Sequence, residues 1–311
     1  MQIFVSGSLA YDRIMDFPGK FEDHILPDKI HVLNICFTVN GLKEKFGGTA
    51  GNIAYNLALL KERPRILATA GKDFERYEKW LLKNDLSLES IRKIPGEFTA
   101  GAYITTDRMD NQITGFNPGA MKYPSQFTFD NANNGNTLAI IAPGNIEDML
   151  TYTCVCREKG IPFIFDPGQS IPALSGEQLS DMVAGADLLI SNDYELEMII
   201  RATGLKKGQL LSLTSGIVTT LGEKGSLITT PEEEVRLPAV SVERILDPTG
   251  AGDAYRAGLI KGLALGKDLF EAARLGVTCA SFAIECYGTQ EHCFSTEEFW
   301  ARHEANFGVT V

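Results

Sequence analysis

Five short apolar runs, each bounded by glycine or polar residues, most constrain what this chain can fold into. The runs are Gln2–Gly7 (QIFVSG), Leu138–Ala142 (LAIIA), Pro162–Asp166 (PFIFD), Asp187–Ser191 (DLLIS) and Ile217–Leu221 (IVTTL). Each is too short for a helix, rich in Ile, Val, Leu or Phe, and reads as a buried strand. Helical patterns lie between them at Asn145–Lys159, Gly176–Ala184 and Tyr194–Thr203, and two long apolar helices follow at Gly252–Gly266 and Leu269–Tyr287. Strand and helix in alternation predict an α/β fold with a mostly parallel sheet covered on both faces. The 311 residues suffice for one large domain of this kind, and 44% hydrophobic with 22% charged residues is a globular composition.

The alternation breaks at Phe98–Phe116, where residues of strand type flank the turn Arg108-Met109-Asp110-Asn111, as in an antiparallel hairpin. Ile30–Val39 (IHVLNICFTV) is expected to add a strand to it, forming a small β appendage that serves as a lid. The asparagine-rich stretch Asn131–Asn136 reads as a surface turn.

Forty acidic against 29 basic residues give a net charge of −11, which argues against a partner held by its phosphate backbone and so against nucleic acid. The six cysteines are too few and too irregularly spaced for a disulfide framework and are expected to be reduced, mostly buried thiols. The N-terminal residues do not have the pattern of a signal peptide, and no apolar run reaches the length of a membrane span. A cytoplasmic protein without membrane contact is the expectation.

Four clusters carry chemistry. In Asp247-Pro248-Thr249-Gly250-Ala251-Gly252-Asp253, small residues open a helix whose amides at Gly250, Ala251 and Gly252 would face a phosphate, with Asp253 placed to take a hydroxyl proton. The plainer alternative is that Asp253 caps the helix. Gly47-Gly48-Thr49-Ala50-Gly51-Asn52 opens another helix, and Asn52 with Asp12 could hold vicinal hydroxyls while Gly48 admits the substrate; an ordinary glycine turn is the alternative. Asn192-Asp193-Tyr194-Glu195 offers oxygen ligands for magnesium or simply an acidic first turn. Thr220-Leu221-Gly222-Glu223-Lys224-Gly225 could admit a nucleotide or serve only as a turn.

Taken together, the order and identity of these clusters resemble the ribokinase-like, or PfkB, family of sugar and nucleoside kinases. The resemblance rests on G-G-x-x-x-N at Gly47, N-x-x-E at Asn192, T-L-G-x-x-G at Thr220 and D-P-T-G-A-G-D at Asp247, with Ala257-Gly258 following. It implies a Rossmann-type three-layer α/β/α domain over residues 1–311 with a small β-sheet lid from about residues 10–17, 30–46 and 98–118. ATP would be the phosphoryl donor, Asp253 the base, and Gly250, Ala251 and Gly252 the anion hole. It also implies Asn192 and Glu195 near magnesium and the phosphates, Glu195 acting through water, and Thr220, Gly222 and Gly225 beside the nucleotide. Asp247 and Thr249 would flank a monovalent cation such as potassium.

Within the family, Ala10-Tyr11-Asp12-Arg13-Ile14-Met15, His24–Asp28 and Asn111–Thr114 with Phe116–Met121 look most like the adenosine kinase-like microbial nucleoside kinases. A nucleobase needs an aromatic slot and an amide, for which Phe37, Phe116, Gln112 and Asn117 are the candidates. Many sugar kinases of the family carry Asn where this chain has Ala10, which weighs against ribose. The expected reaction is phosphorylation of a purine nucleoside at its 5′-hydroxyl. A sugar kinase on the same scaffold and a non-catalytic nucleotide-binding regulator are the alternatives, and a homodimer through the lid is left open.

Overall fold

A computed structural model describes residues 1–130, 132 and 135–308, so three residues of the expected 131–136 turn lie outside the described residues. The strands, in chain order, are β1 (Gln2–Ser6), β2 (Ala10–Asp16), β3 (Leu42–Gly47), β4 (Arg65–Ala70), β5 (Ile91–Lys93), β6 (Ala100–Thr106), β7 (Gln112–Asn117), β8 (Thr137–Ile141), β9 (Phe163–Phe165), β10 (Leu188–Asn192), β11 (Gly216–Thr220), β12 (Ser226–Thr229) and β13 (Glu234–Leu237). The helices are α1 (Thr49–Leu59), α2 (Glu75–Lys83), α3 (Ile146–Lys159), α4 (Gly176–Val183), α5 (Asp193–Thr203), α6 (Lys207–Leu211), α7 (Ala251–Ala264), α8 (Leu269–Ala283) and α9 (Thr296–Phe307).

Nine strands form the main sheet in the order β13-β12-β11-β10-β9-β8-β1-β4-β5. It is parallel except where β12 runs against both its neighbours. Alternate residues of the central strands enter different cores: Ile3, Val5 and Ile140 pack with α1, α2, α7 and α8, whereas Phe4, Ile141 and Phe165 pack with α3, α4 and α5. That period-two division makes the three α/β/α layers. On the first face, Gly258 and Gly262 of α7 lie so near Leu275 and Ala272 of α8 that a side chain at either would collide.

The second sheet has four strands in the order β3-β2-β6-β7. The expected hairpin is present as β6 and β7, paired from Gly101↔Asn117 to Thr106↔Gln112. Ile30–Val39 is not a strand. Its first part belongs to a 3-10 turn over Pro27–Val32, and the edge strand is instead Leu42–Gly47. Ile30, Val32 and Leu33 are exposed, so an apolar, β-branched run was formed without the sheet neighbour that would have made it a strand. The cysteines are all unpaired, but only Cys156 and Cys279 are buried, fewer than expected. Among the described residues no helix is long and apolar enough to cross a membrane.

Candidate active site

The parallel strands end on one edge of the sheet, where open α/β folds bind ligands. Asp166 follows β9, and Asn192 and Thr220, which are register partners, end β10 and β11. Gly48 begins α1 at φ +89°, pressed against the Ser8 carbonyl, and Gly250 begins α7 at φ +81°. Both positions need the left-handed region that only glycine occupies freely. The two helix starts converge there: Asn52 Nδ2 of α1 donates to Asp253 Oδ2 of α7 at 2.8 Å.

That contact separates the two readings of Asp253. Its carboxylate turns to Asn52, and among the described residues α7 has no side-chain cap at its N-terminus. Among the described residues the amides of Gly250 and Gly252 meet no backbone acceptor, whereas that of Ala251 bends back to the Pro248 carbonyl at 3.2 Å. Two of the three expected anion-hole donors therefore have no backbone partner among the described residues, and the third is already engaged. Asn52 keeps one N–H and one lone pair for a hydroxyl, since its other groups bind Asp253 and Gln290.

Burial pushes the Asp253 carboxyl up to about 6, against the pull of the Arg256 cation and the Asn52 hydrogen bond; Asp166 and Glu195 add to the rise. Arg256 lies one turn along α7, 7% exposed, with Nε donating to Asp166 Oδ2 at 2.5 Å. Asp166 is 1% exposed, and among the described residues its Oδ1 has no partner. One guanidinium thus serves three carboxylates beneath the helix start.

Asp12 is half-buried in β2, with its Oδ2 where a side chain on Gly47 would be. Burial, and then the neighbouring Asp247, lift its carboxyl to about 6. Register places Asp12, Ala102 and Phe116 side by side across three strands, so Phe116 shares the Asp12 face of the small sheet. Gln112 shares that face by the period of two, and both it and Phe116 are exposed. Asn117 does not join them. It lies on the opposite face, and its Oδ1 accepts from the Gly119 amide. That face packs on α2 and its preceding turn, through Tyr11 against Tyr77 and Arg13 on Asp73. Phe37 is likewise engaged elsewhere, its ring 4.7 Å from Phe17 and 5.1 Å from Phe21.

At the end of β10, Asn192 and Glu195 form a reciprocal cap: Glu195 N donates to Asn192 Oδ1 at 2.7 Å and Asn192 N to Glu195 Oε2 at 2.8 Å. The acidic-first-turn alternative is therefore realised, yet among the described residues Glu195 Oε1 is left over. Among the described residues no three Asp, Glu, His or Cys side chains form a metal cluster. The orphaned, buried Asp166 Oδ1 and the spare Glu195 oxygen fit a magnesium ion held largely by water and phosphate. Gly222 opens onto free space, whereas Gly225 lies against the Leu237 carbonyl and accepts from the Leu221 amide at 2.8 Å, so its smallness serves the turn. Asp247 accepts from the amides of Thr249 and Gly288, each at 2.9 Å, and these bonds hold its carboxyl below the usual range against partial burial.

The sequence reading missed Arg256, Asp166, Tyr77, Trp80 and Gln290. An acidic residue just after a buried strand was the available signal for Asp166. Nothing local marks Gln290, in irregular chain between α8 and α9.

The sequence pattern of the pfkB family carbohydrate kinases matches residues 21–297. A nucleoside kinase of Methanocaldococcus jannaschii is 32% identical over 260 residues, spanning 83% of this chain and 85% of its own length. Among solved structures, the nucleoside kinase of Burkholderia thailandensis in complex with inosine superposes with a TM-score of 0.87 at 37% identity, covering 99% of this chain and 98% of that one. The same enzyme in complex with ADP-inosine gives 0.85 at 38% identity, with coverages of 99% and 96%.

Proposed function

Because this chain belongs to the pfkB family of carbohydrate kinases, we propose that it is an ATP-dependent nucleoside kinase that phosphorylates the 5′-hydroxyl of a purine nucleoside. The observation that carries the reading is the convergence of Asp253, Asn52 and the free Gly250 and Gly252 amides at two helix starts. Asp253 accepts the 5′-hydroxyl proton as the oxygen bonds to the γ-phosphorus and the bond to the departing ADP breaks. The amides of Gly250 and Gly252 receive charge on the phosphoryl oxygens. Asp12 and the remaining N–H of Asn52 hold the ribose, and the small sheet closes over the base and excludes water. Magnesium, held near Glu195 and Asp166, would neutralise phosphate charge when bound.

The exposed Phe116 ring on the Asp12 face supports a nucleoside over a bare sugar, which has no aromatic ring to stack, and Gln112 can read a base edge. A panel of purine and pyrimidine nucleosides, ribose and fructose with ATP and magnesium tests this. Turnover of inosine or adenosine above the sugars is expected, and preferential turnover of a sugar would overturn it. Phe116→Ala should raise KM for the purine nucleoside about 5- to 150-fold, the worth of one base–aromatic stack, and leave KM for ATP unchanged. Potassium near Asp247 and Thr249 would speed turnover; equal rates in sodium, potassium and tetramethylammonium would discard that part. The need for ATP supports a cytoplasmic location.

A further inference from the structure

Asp253 stands at the end of a hydrogen-bond chain whose direction is set far from it. Trp80 Nε1 of α2 donates to Gln290 Oε1 at 2.9 Å, Gln290 Nε2 donates to Asn52 Oδ1 at 3.0 Å, and Asn52 Nδ2 donates to Asp253 Oδ2 at 2.8 Å. Gln290 is 2% exposed and Asn52 5%. An amide can be turned end for end, so each link needs something to fix its sense. An indole N–H can only donate, which commits the Gln290 carbonyl to Trp80 and its NH2 to Asn52. A second constraint agrees. Tyr77 OH spends its proton on the Gly47 carbonyl at 2.8 Å and must accept from Gln290 Nε2 at 2.6 Å.

With the Gln290 NH2 facing it, Asn52 can offer only its carbonyl there and only its NH2 to Asp253. The reversed amide would set carbonyl against carboxylate at one end and NH2 against NH2 at the other, two repulsive contacts in a buried site. Resting on the kinase reading and on Asp253 as its base, we propose that Gln290 is a positioning residue for phosphoryl transfer: oriented by Trp80 and Tyr77, it locks Asn52 with its N–H toward Asp253. The lock draws on α1, α2, α7 and the segment after α8, so it forms only when all of them are docked. By donating to the ionised carboxylate, Asn52 keeps the base ready to take a proton.

The test is the pH dependence of kcat for the full chain with saturating ATP, magnesium and nucleoside. The other groups acting on Asp253 are Arg256 on its own helix, Asp166 after β9, Glu195 on α5 and Tyr77 on α2, and all remain unaltered. Gln290→Met keeps bulk and neutrality but neither donates nor accepts through an amide, which frees Asn52 to turn. Its acid limb should move to higher pH by about one unit, and Trp80→Phe should move it less in the same direction. Added to Asn52→Ala, Gln290→Met should give no further shift. Limbs that coincide with wild type while kcat drops equally at every pH would mean a merely structural role and would overturn the proposal. Should Gln290→Met not fold, Trp80→Phe decides by the same criterion. A wild-type chain that phosphorylates no nucleoside overturns the kinase reading instead, so the two failures are distinguishable.

Discussion

Replacing Arg256 by Met tests the electrostatics beneath the helix start. Arg256 and Asp166 are 7% and 1% exposed and joined at 2.5 Å, with Asp166 Oδ1 unpartnered among the described residues. Removing one member of a buried ion pair leaves the other unsatisfied in a poorly solvating interior, at a cost of about 3–5 kcal/mol. For a chain of 311 residues, the usual unfolding entropy per residue amounts to about 0.65 kcal/mol/K, so the melting temperature should fall by about 5–8 °C. The double variant Arg256→Met/Asp166→Leu replaces both charges by apolar groups and should recover most of that loss, to within about 1 kcal/mol of wild type. Scanning calorimetry at pH 7 on the four members of the cycle gives the coupling directly. A single variant melting within about 2 °C of wild type, or a double variant melting as low as two independent losses would require, refutes the reasoning. The single variant also removes the strongest influence opposing burial at Asp253, so its carboxyl should rise further and kcat at pH 7 should drop.

Asp253→Asn should lower kcat by about 10²- to 10⁴-fold, the usual worth of a positioned base, while calorimetry shows ATP affinity little changed. With a folded-state pKa of about 6, the wild-type base is about nine-tenths ionised at pH 7 and about one-tenth at pH 5. Turnover should therefore fall through this range as pH is lowered, and kcat/KM more steeply, since Asp12 is also lifted to about 6; a flat kcat from pH 7.5 to 5 would exclude Asp253 as the base. Burial lowers His292 to about 4, and among the described residues its Nδ1 has no partner, so the folded state resists protonation that the unfolded chain accepts near 6.5. Its contribution to stability is present above pH 6.5 and lost as pH falls toward 4, so the urea midpoint should decline over that window, less steeply in His292→Gln.

Much of the layout was legible because its signals are local. Buried strands such as Leu138–Ala142 and Asp187–Ser191 announce themselves by unbroken apolar runs, and the Asp247–Asp253 segment has the small residues that a crowded helix start demands. Ile30–Val39 has the same strand chemistry and is not a strand, because β propensity is realised only where a neighbour supplies the ladder. Phe37 and Asn117 are of suitable type for a base pocket, yet one is absorbed by an aromatic cluster and the other lies on the far face of the lid. Residue type names what a side chain can do; the face it occupies decides whether it does so at the site.

Alternating apolar runs and helical periods, read from neighbouring residues alone, determined the layered α/β architecture and marked where two helices must begin on glycine. The charge state of Asp253, the sense in which Asn52 meets it, and the pairing of Arg256 with Asp166 were decided only by the tertiary structure. These depend on burial and on donors and acceptors separated by 90 to 238 positions in the chain. No local pattern encodes such separations, because the free energy of a buried polar group is set by whatever the fold places within about 3 Å of it.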